Sequence, residues 1–161
     1  MRVFAEKTEK FRVCGVKAGL DENNREKVIS DFRGNDGGAR FECLLGCGQG
    51  FYGIIRREES RSFLCAETYL YGKSVYPTVY MPAGGAQWAV PAGTYLKACF
   101  SEKEKQDLTV EGAWKFIKDI YIPSCSYIRD DSNPYEIEYY GETKEEGALQ
   151  LWVPVLNAGD L

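Results

Sequence analysis

Six short stretches of this chain read as β-strands, rich in strand formers and in several cases with hydrophobic and polar positions alternating every second residue, the period at which successive side chains point to opposite faces. Residues 11–18 (FRVCGVKA), 51–57 (FYGIIRR), 62–72 (SFLCAETYLYG), 93–101 (GTYLKACFS), 134–141 (PYEIEYYG) and 148–155 (ALQLWVPV) read this way. Two intervening stretches change to the helical period. Val28, Ile29 and Phe32 share a helical face within 24–32, which stops at Gly34. Leu108, Trp114, Ile117, Ile120 and Tyr121 are placed for one core-facing side of a helix over 107–122, ended by Pro123. The charged turns EESR and ETKEE join the strands that follow each helix into hairpins. Between the halves, Pro77, Pro82, Pro91, Gly84 and Gly85 break regular structure over residues 73–92.

Each half is thus strand, helix, hairpin, and the pattern predicts an α+β fold. Residues 1–161 form one domain of two pseudo-twofold-related β-α-β-β repeats, with antiparallel sheets and a helix each: repeat one about 1–72, a linker 73–92, repeat two about 93–161. A ligand cleft is expected between the repeats.

Alternation also assigns sides. Leu149, Leu151, Val153 and Val155 are expected on the core face of the last strand, with Gln150, Trp152 and Pro154 opposite. The same rule turns Leu96, Ala98 and Phe100 inward and Tyr95, Lys97 and Cys99 outward. In 62–71 it turns Leu64, Ala66, Thr68 and Leu70 inward, leaving Glu67, Tyr69 and Tyr71 opposite. The face away from the helices is then expected to mix large aromatics with carboxylates. Glu136 and Glu138 share one face of their strand, and Trp88, beside the two glycines, is placed to lid the cleft or to staple the linker to the core.

Composition narrows the chemistry. With 44% hydrophobic and 27% charged residues the chain falls in the globular range, and no apolar run approaches the roughly 20 residues of a membrane span. The N-terminal MRVFAEKTEKFRV has no continuous apolar core of a secretory leader, so the expected compartment is the cytoplasm. The absence of histidine removes every Ser-His, Cys-His and His-based mechanism. A net charge of −4 and a single basic cluster, Arg56, Arg57 and Arg61 beside Glu58 and Glu59, argue against direct nucleic-acid contact. Six cysteines without a C-x-x-C pair are expected as free, mostly buried thiols, and no metal or other cofactor is expected. The glycine-rich GCGQGFYG lacks the Lys-Ser/Thr ending of a phosphate loop and is expected as a loop beside the pocket.

Three segments carry a resemblance. VPAGTYLKACF, AWKFIKDIYIPSCSYIRDDSNPYEIEYYG and GALQLWVPV resemble, in order and spacing, the second half of GyrI-like and AraC-type effector-binding domains; FRVCGVKA, FYGII and FLCAETYLYG match their first half more weakly. The resemblance implies a cleft along the pseudo-twofold axis that binds drugs and other lipophilic, often cationic, compounds. It implies a stand-alone binder without a DNA-binding domain. The family's glutamate in the last strand falls on Gln150, so Glu67, Glu136 or Glu138 would have to supply the acid. The expected ligand-binding set is Glu67, Tyr69, Trp88, Tyr95, Tyr127, Glu136, Glu138, Gln150 and Trp152. Aromatic π-faces and one buried carboxylate together attract a delocalised cation. Non-catalytic binding of a small cationic or aromatic molecule is the expected function. The alternatives are hydrolysis of strained or electrophilic compounds by a glutamate and aromatic residues, and inhibition of a protein partner such as DNA gyrase. Monomer and homodimer both stay open.

Overall fold

The computed structural model describes residues 1–20, 24–34, 50–58, 66–76, 84–141 and 149–156. Eight strands are present among them: β1 (Arg2–Thr8), β2 (Phe11–Gly19), β3 (Phe51–Glu58), β4 (Ala66–Val75), β5 (Ala86–Val90), β6 (Gly93–Phe100), β7 (Tyr135–Tyr139) and β8 (Leu149–Pro154). They form one antiparallel sheet in the order β1-β6-β8-β7-β3-β4-β2-β5. The fold is α+β, as the alternating and helical periods predict. Exchanging β2 with β6, β3 with β7, β4 with β8 and β5 with β1 reproduces the strand order from the other end. Ile54 opposite Ile137 marks the centre, where β3 meets β7.

Two strands escaped the sequence reading. The run RVFAEKT shows no clean alternation because β1 is an edge strand and mostly exposed. β5 lies in the stretch expected to be irregular, yet it pairs with β2 from Phe11–Val90 to Gly15–Ala86. The expected turns at EESR and ETKEE, the GCG of the glycine-rich loop, and Cys43, Cys47, Cys65 and Leu64 lie outside the described residues. Cys14, Cys99 and Cys125 are free thiols.

Helix α1 (Arg25–Arg33) buries Val28, Ile29 and Phe32 and closes at Gly34, whose φ of 57° is a left-handed value glycine accepts without strain. In repeat two the expected helix is divided. A short helix α2 (Glu102–Gln106) starts with a capping box between Ser101 and Glu104. Then α3 (Val110–Phe116), capped by Thr109, widens into π-helical turns over Ile117–Tyr121 and ends with Ile122–Ser124. In a regular helix the Pro123 ring would press on the carbonyl of Asp119, and the wide turns directly precede it. Widening moves the inward side on by a residue. Ile117 stays buried and Tyr121 and Ile122 pack on the core, while Ile120, expected inward, is 59% exposed.

The sheet separates two apolar clusters. On the helix side, Phe32, Trp114 and Ile117 pack on Ile55, Tyr69, Tyr71, Ala98, Leu151 and Val153. The other face holds Val13, Ile54, Leu70, Trp88, Tyr95, Ile137 and Trp152. β2 and β8 stand four places apart, so about 19 Å would separate them in a flat sheet. The rings of Phe11 and Trp152 are nonetheless 6.2 Å apart, so the sheet curls around this second face. One place of close approach is the Gly15–Gly72 pair, where a Cβ on either glycine would overlap the carbonyl of Tyr71 or Cys14. Among the described residues no helix is long and apolar enough to cross a membrane.

Candidate functional site

On the helix side, where the repeats meet, the sheet carries acids instead of hydrocarbon. β7 presents Glu136 beside Ile55 and Glu138 beside Gly53 across the β3–β7 pair. Both carboxylates are buried, and Glu138 is 0% exposed. Burying a charge is costly unless it is paired and hydrogen-bonded.

Four side chains converge on Glu138. Arg25, at the start of α1, donates Nε to both oxygens at 3.2 and 3.1 Å, and its Nη2 lies 2.8 Å from Oε2. Tyr69 and Tyr140 donate their hydroxyls to Oε1 at 2.7 and 2.6 Å, and Trp114 donates its indole N–H to Oε2 at 2.6 Å. Arg25 also bonds Glu111 through Nη1, so one guanidinium links α1, β7 and α3. Its carbon stands 5.3 Å from the Tyr69 ring centroid. Burial, the largest single influence, lowers the Arg25 pKa, but the charge and hydrogen bonding of Glu138 together with Tyr69 and Tyr140 outweigh it and raise the net value. Burial, then the Glu138 charge, push the Tyr69 and Tyr140 hydroxyls well above the usual tyrosine value. Glycine is required at position 53, because a Cβ there would overlap the Tyr69 hydroxyl and Glu138 Oε1.

Glu136 is served by two cations. Arg129 Nη1 donates to Oε2 at 2.6 Å. Lys118, in the widened turns, brings Nζ to 2.7 Å from Oε1, and this approach is an ion pair without hydrogen-bond alignment.

In front of these acids lies a cavity of about 290 Å³ lined by Leu20, Arg25, Ile55, Glu67, Glu111, Trp114 and Lys118. Leu20 and Glu67 form one wall, tied by a 2.9 Å backbone hydrogen bond; α3 and its continuation form the other. The Glu67 carboxylate has no hydrogen-bond or ion-pair partner among the described residues. A larger open groove of about 480 Å³, near Thr8, Gly93, Thr94, Asp130 and Leu156, contains none of the expected site residues.

Eight of the nine expected residues divide between the two faces. Glu67 lines the cavity, and Tyr69, Glu136 and Glu138 lie on the same side of the sheet. This reverses the expected orientation of β4: Tyr69 and Tyr71 face the helices, and Leu70 faces the curled interior. The alternation is right and the side is inverted, because the buried Tyr69 spends its hydroxyl on Glu138. Trp88, Tyr95, Gln150 and Trp152 are on the far face. There Trp152 contacts Phe11, Tyr52, Tyr95 and Tyr139, and its indole N–H donates to Gln150 Oε1 at 3.0 Å. Tyr95 is fully buried; its hydroxyl donates to the Pro91 carbonyl and accepts from Asn133. Trp88 stands edge-on to Tyr135 with Arg56 over its ring. Tyr127, beyond the helix, is 38% exposed and lines neither hollow. The residues not anticipated as cavity walls are Leu20, Arg25, Ile55, Glu111, Trp114 and Lys118. Glu111, Trp114 and Lys118 recur three and four apart, a spacing that places them along one helical side.

Comparison with known proteins places the fold. No protein-family model matches the sequence, and no curated protein matches it. Solved structures do match over nearly the whole length. A putative transcription regulation protein of Staphylococcus aureus shares 12% identity at a TM-score of 0.66, over 98% of this chain and 99% of that one. SAV2435, solved bound to tetraphenylphosphonium, shares 12% at 0.65, over 98% and 95%. The EcmrR C-terminal domain shares 10% at 0.64, over 98% of each chain. The eight-stranded antiparallel sheet with its few helices is consistent with the GyrI-like fold.

Proposed function

We propose that this protein binds a small lipophilic molecule, cationic or aromatic, in the cavity between α1 and α3. The observation that carries the reading is the cavity itself: Leu20 and Ile55 offer hydrocarbon, Trp114 a ring, and Glu67 a carboxylate without a hydrogen-bond or ion-pair partner among the described residues. Such a mixture suits a ligand with an apolar body and a positive charge. That SAV2435, a protein of similar fold, holds tetraphenylphosphonium supports the choice of ligand class. Of the residues expected from the sequence, Glu67 lines this cavity, while Trp88, Tyr95 and Trp152 pack on the opposite face.

The test is titration with tetraphenylphosphonium and neutral triphenylphosphine oxide, read by thermal shift and tryptophan fluorescence. Saturable binding of either probe is expected. In Glu67→Gln the cation should bind about fivefold more weakly, about 1 kcal/mol, with the neutral probe unaffected. Absence of saturable binding by both probes would remove this reading.

A further inference from the structure

The cavity already contains a positive charge of its own. Lys118 Nζ stands 5.1 Å from the centroid of the Trp114 ring, the distance at which an ammonium is attracted to an aromatic face. The same nitrogen is 2.7 Å from Glu136 Oε1. A ring face and a buried carboxylate are what a bound organic cation would seek, and a side chain of this protein rests on both.

The two cations lining the cavity are held differently. Arg25 is 5% exposed and is committed to Glu138 and Glu111 on three elements, so its departure would strand a buried acid. The Lys118 side chain is 35% exposed and makes no aligned hydrogen bond to Oε1. When it leaves, Arg129 still neutralises Glu136 through Oε2. Lysine's ammonium is compact and strongly hydrated on a flexible stem, so release into water recovers much of its interaction energy.

We propose that Lys118 is a tethered occupant of the cavity's cation position, which competes with the ligand's positive charge and sets how far the cavity discriminates cations from neutral molecules. This rests on the binding reading above. A large, weakly hydrated cation displaces Lys118, because it loses little solvation on entering and gains the Trp114 face and the Glu136 field. Small, strongly hydrated cations do not. Neutral ligands settle beside the ammonium without moving it.

Tetraphenylphosphonium and triphenylphosphine oxide are titrated into wild type, Lys118→Met and Lys118→Arg, with a thermal melt of each protein. Methionine keeps a long apolar side chain and removes the charge. The expected result is about tenfold tighter binding of the cation to Lys118→Met, with the neutral probe within about twofold of wild type and Lys118→Arg near wild type for both. Equal tightening of both probes would make Lys118 a steric obstacle and overturn the proposal. Binding of either probe with no cation gain in Lys118→Met overturns it while leaving the binding reading intact. Silence of both probes in all three proteins removes the binding reading and the proposal together.

Discussion

Inside the curled face of the sheet, Trp152 meets Phe11, Tyr52, Tyr95 and Tyr139 ring against ring; on the opposite side of β7, Glu136 and Glu138 lie beneath Arg25, Lys118 and Arg129. The contrast is between two ways of burying side chains. Aromatic rings have no directional demand strong enough to hold a gap open, so they approach until the volume is filled. Ion pairs and charge-assisted hydrogen bonds fix distances, and one arginine shared among α1, β7 and α3 braces the helices over the sheet. The cavity of about 290 Å³ lies on the ionically braced side, while on the other face the Trp152 cluster packs ring against ring.

Substitutions can break this comparison in order of severity. Trp152→Ala empties part of the aromatic face and should cost about 4 kcal/mol in urea unfolding, with tetraphenylphosphonium affinity of the folded protein unchanged. A large affinity loss in that variant would mean that the faces do not act separately. Glu138→Gln removes the buried countercharge of Arg25, leaving only the half-exposed Glu111, and should cost about 3 kcal/mol, this time with altered probe affinity, because Arg25 lines the cavity. The mildest effect is on the alkaline side. Tyr69 and Tyr140 keep their protons in the folded state above the pH at which the unfolded chain releases them. Their contribution is therefore complete below about pH 10 and is lost as pH rises beyond it. Unfolding free energies measured between about pH 9 and 11 should fall with pH, and less steeply in Tyr69→Phe.

How much of this was legible depended on whether the determining contact was local. The alternation in β6 and β8 separates Ala98, Phe100, Leu151 and Val153 from Tyr95 and Trp152 as read, because strand period is a nearest-neighbour property. The side taken by Tyr69 was not legible. A tyrosine is apolar in its ring and polar at its tip, and its choice followed from Glu138, 69 residues away. Arg25 carries no signal in the sequence for the same reason, since its partner is 113 residues distant. Trp114 was read as a core residue, and it is buried; its share in the cavity wall depends on where β3 and β4 sit. The position of Ile120 turned on five residues of widened helix, and the hydrophobic period carries no trace of that widening.

The palindromic strand order has one more outcome. β1 precedes the β-α-β-β core of the first repeat but pairs with β6 of the second, Arg2 opposite Cys99, while β5, from between the repeats, pairs with β2 of the first. Each half borrows its outermost strand from the stretch leading into the other. During synthesis β1 therefore waits for its partner until the ribosome has released the residues of β6, and neither half is complete as a nascent unit before then.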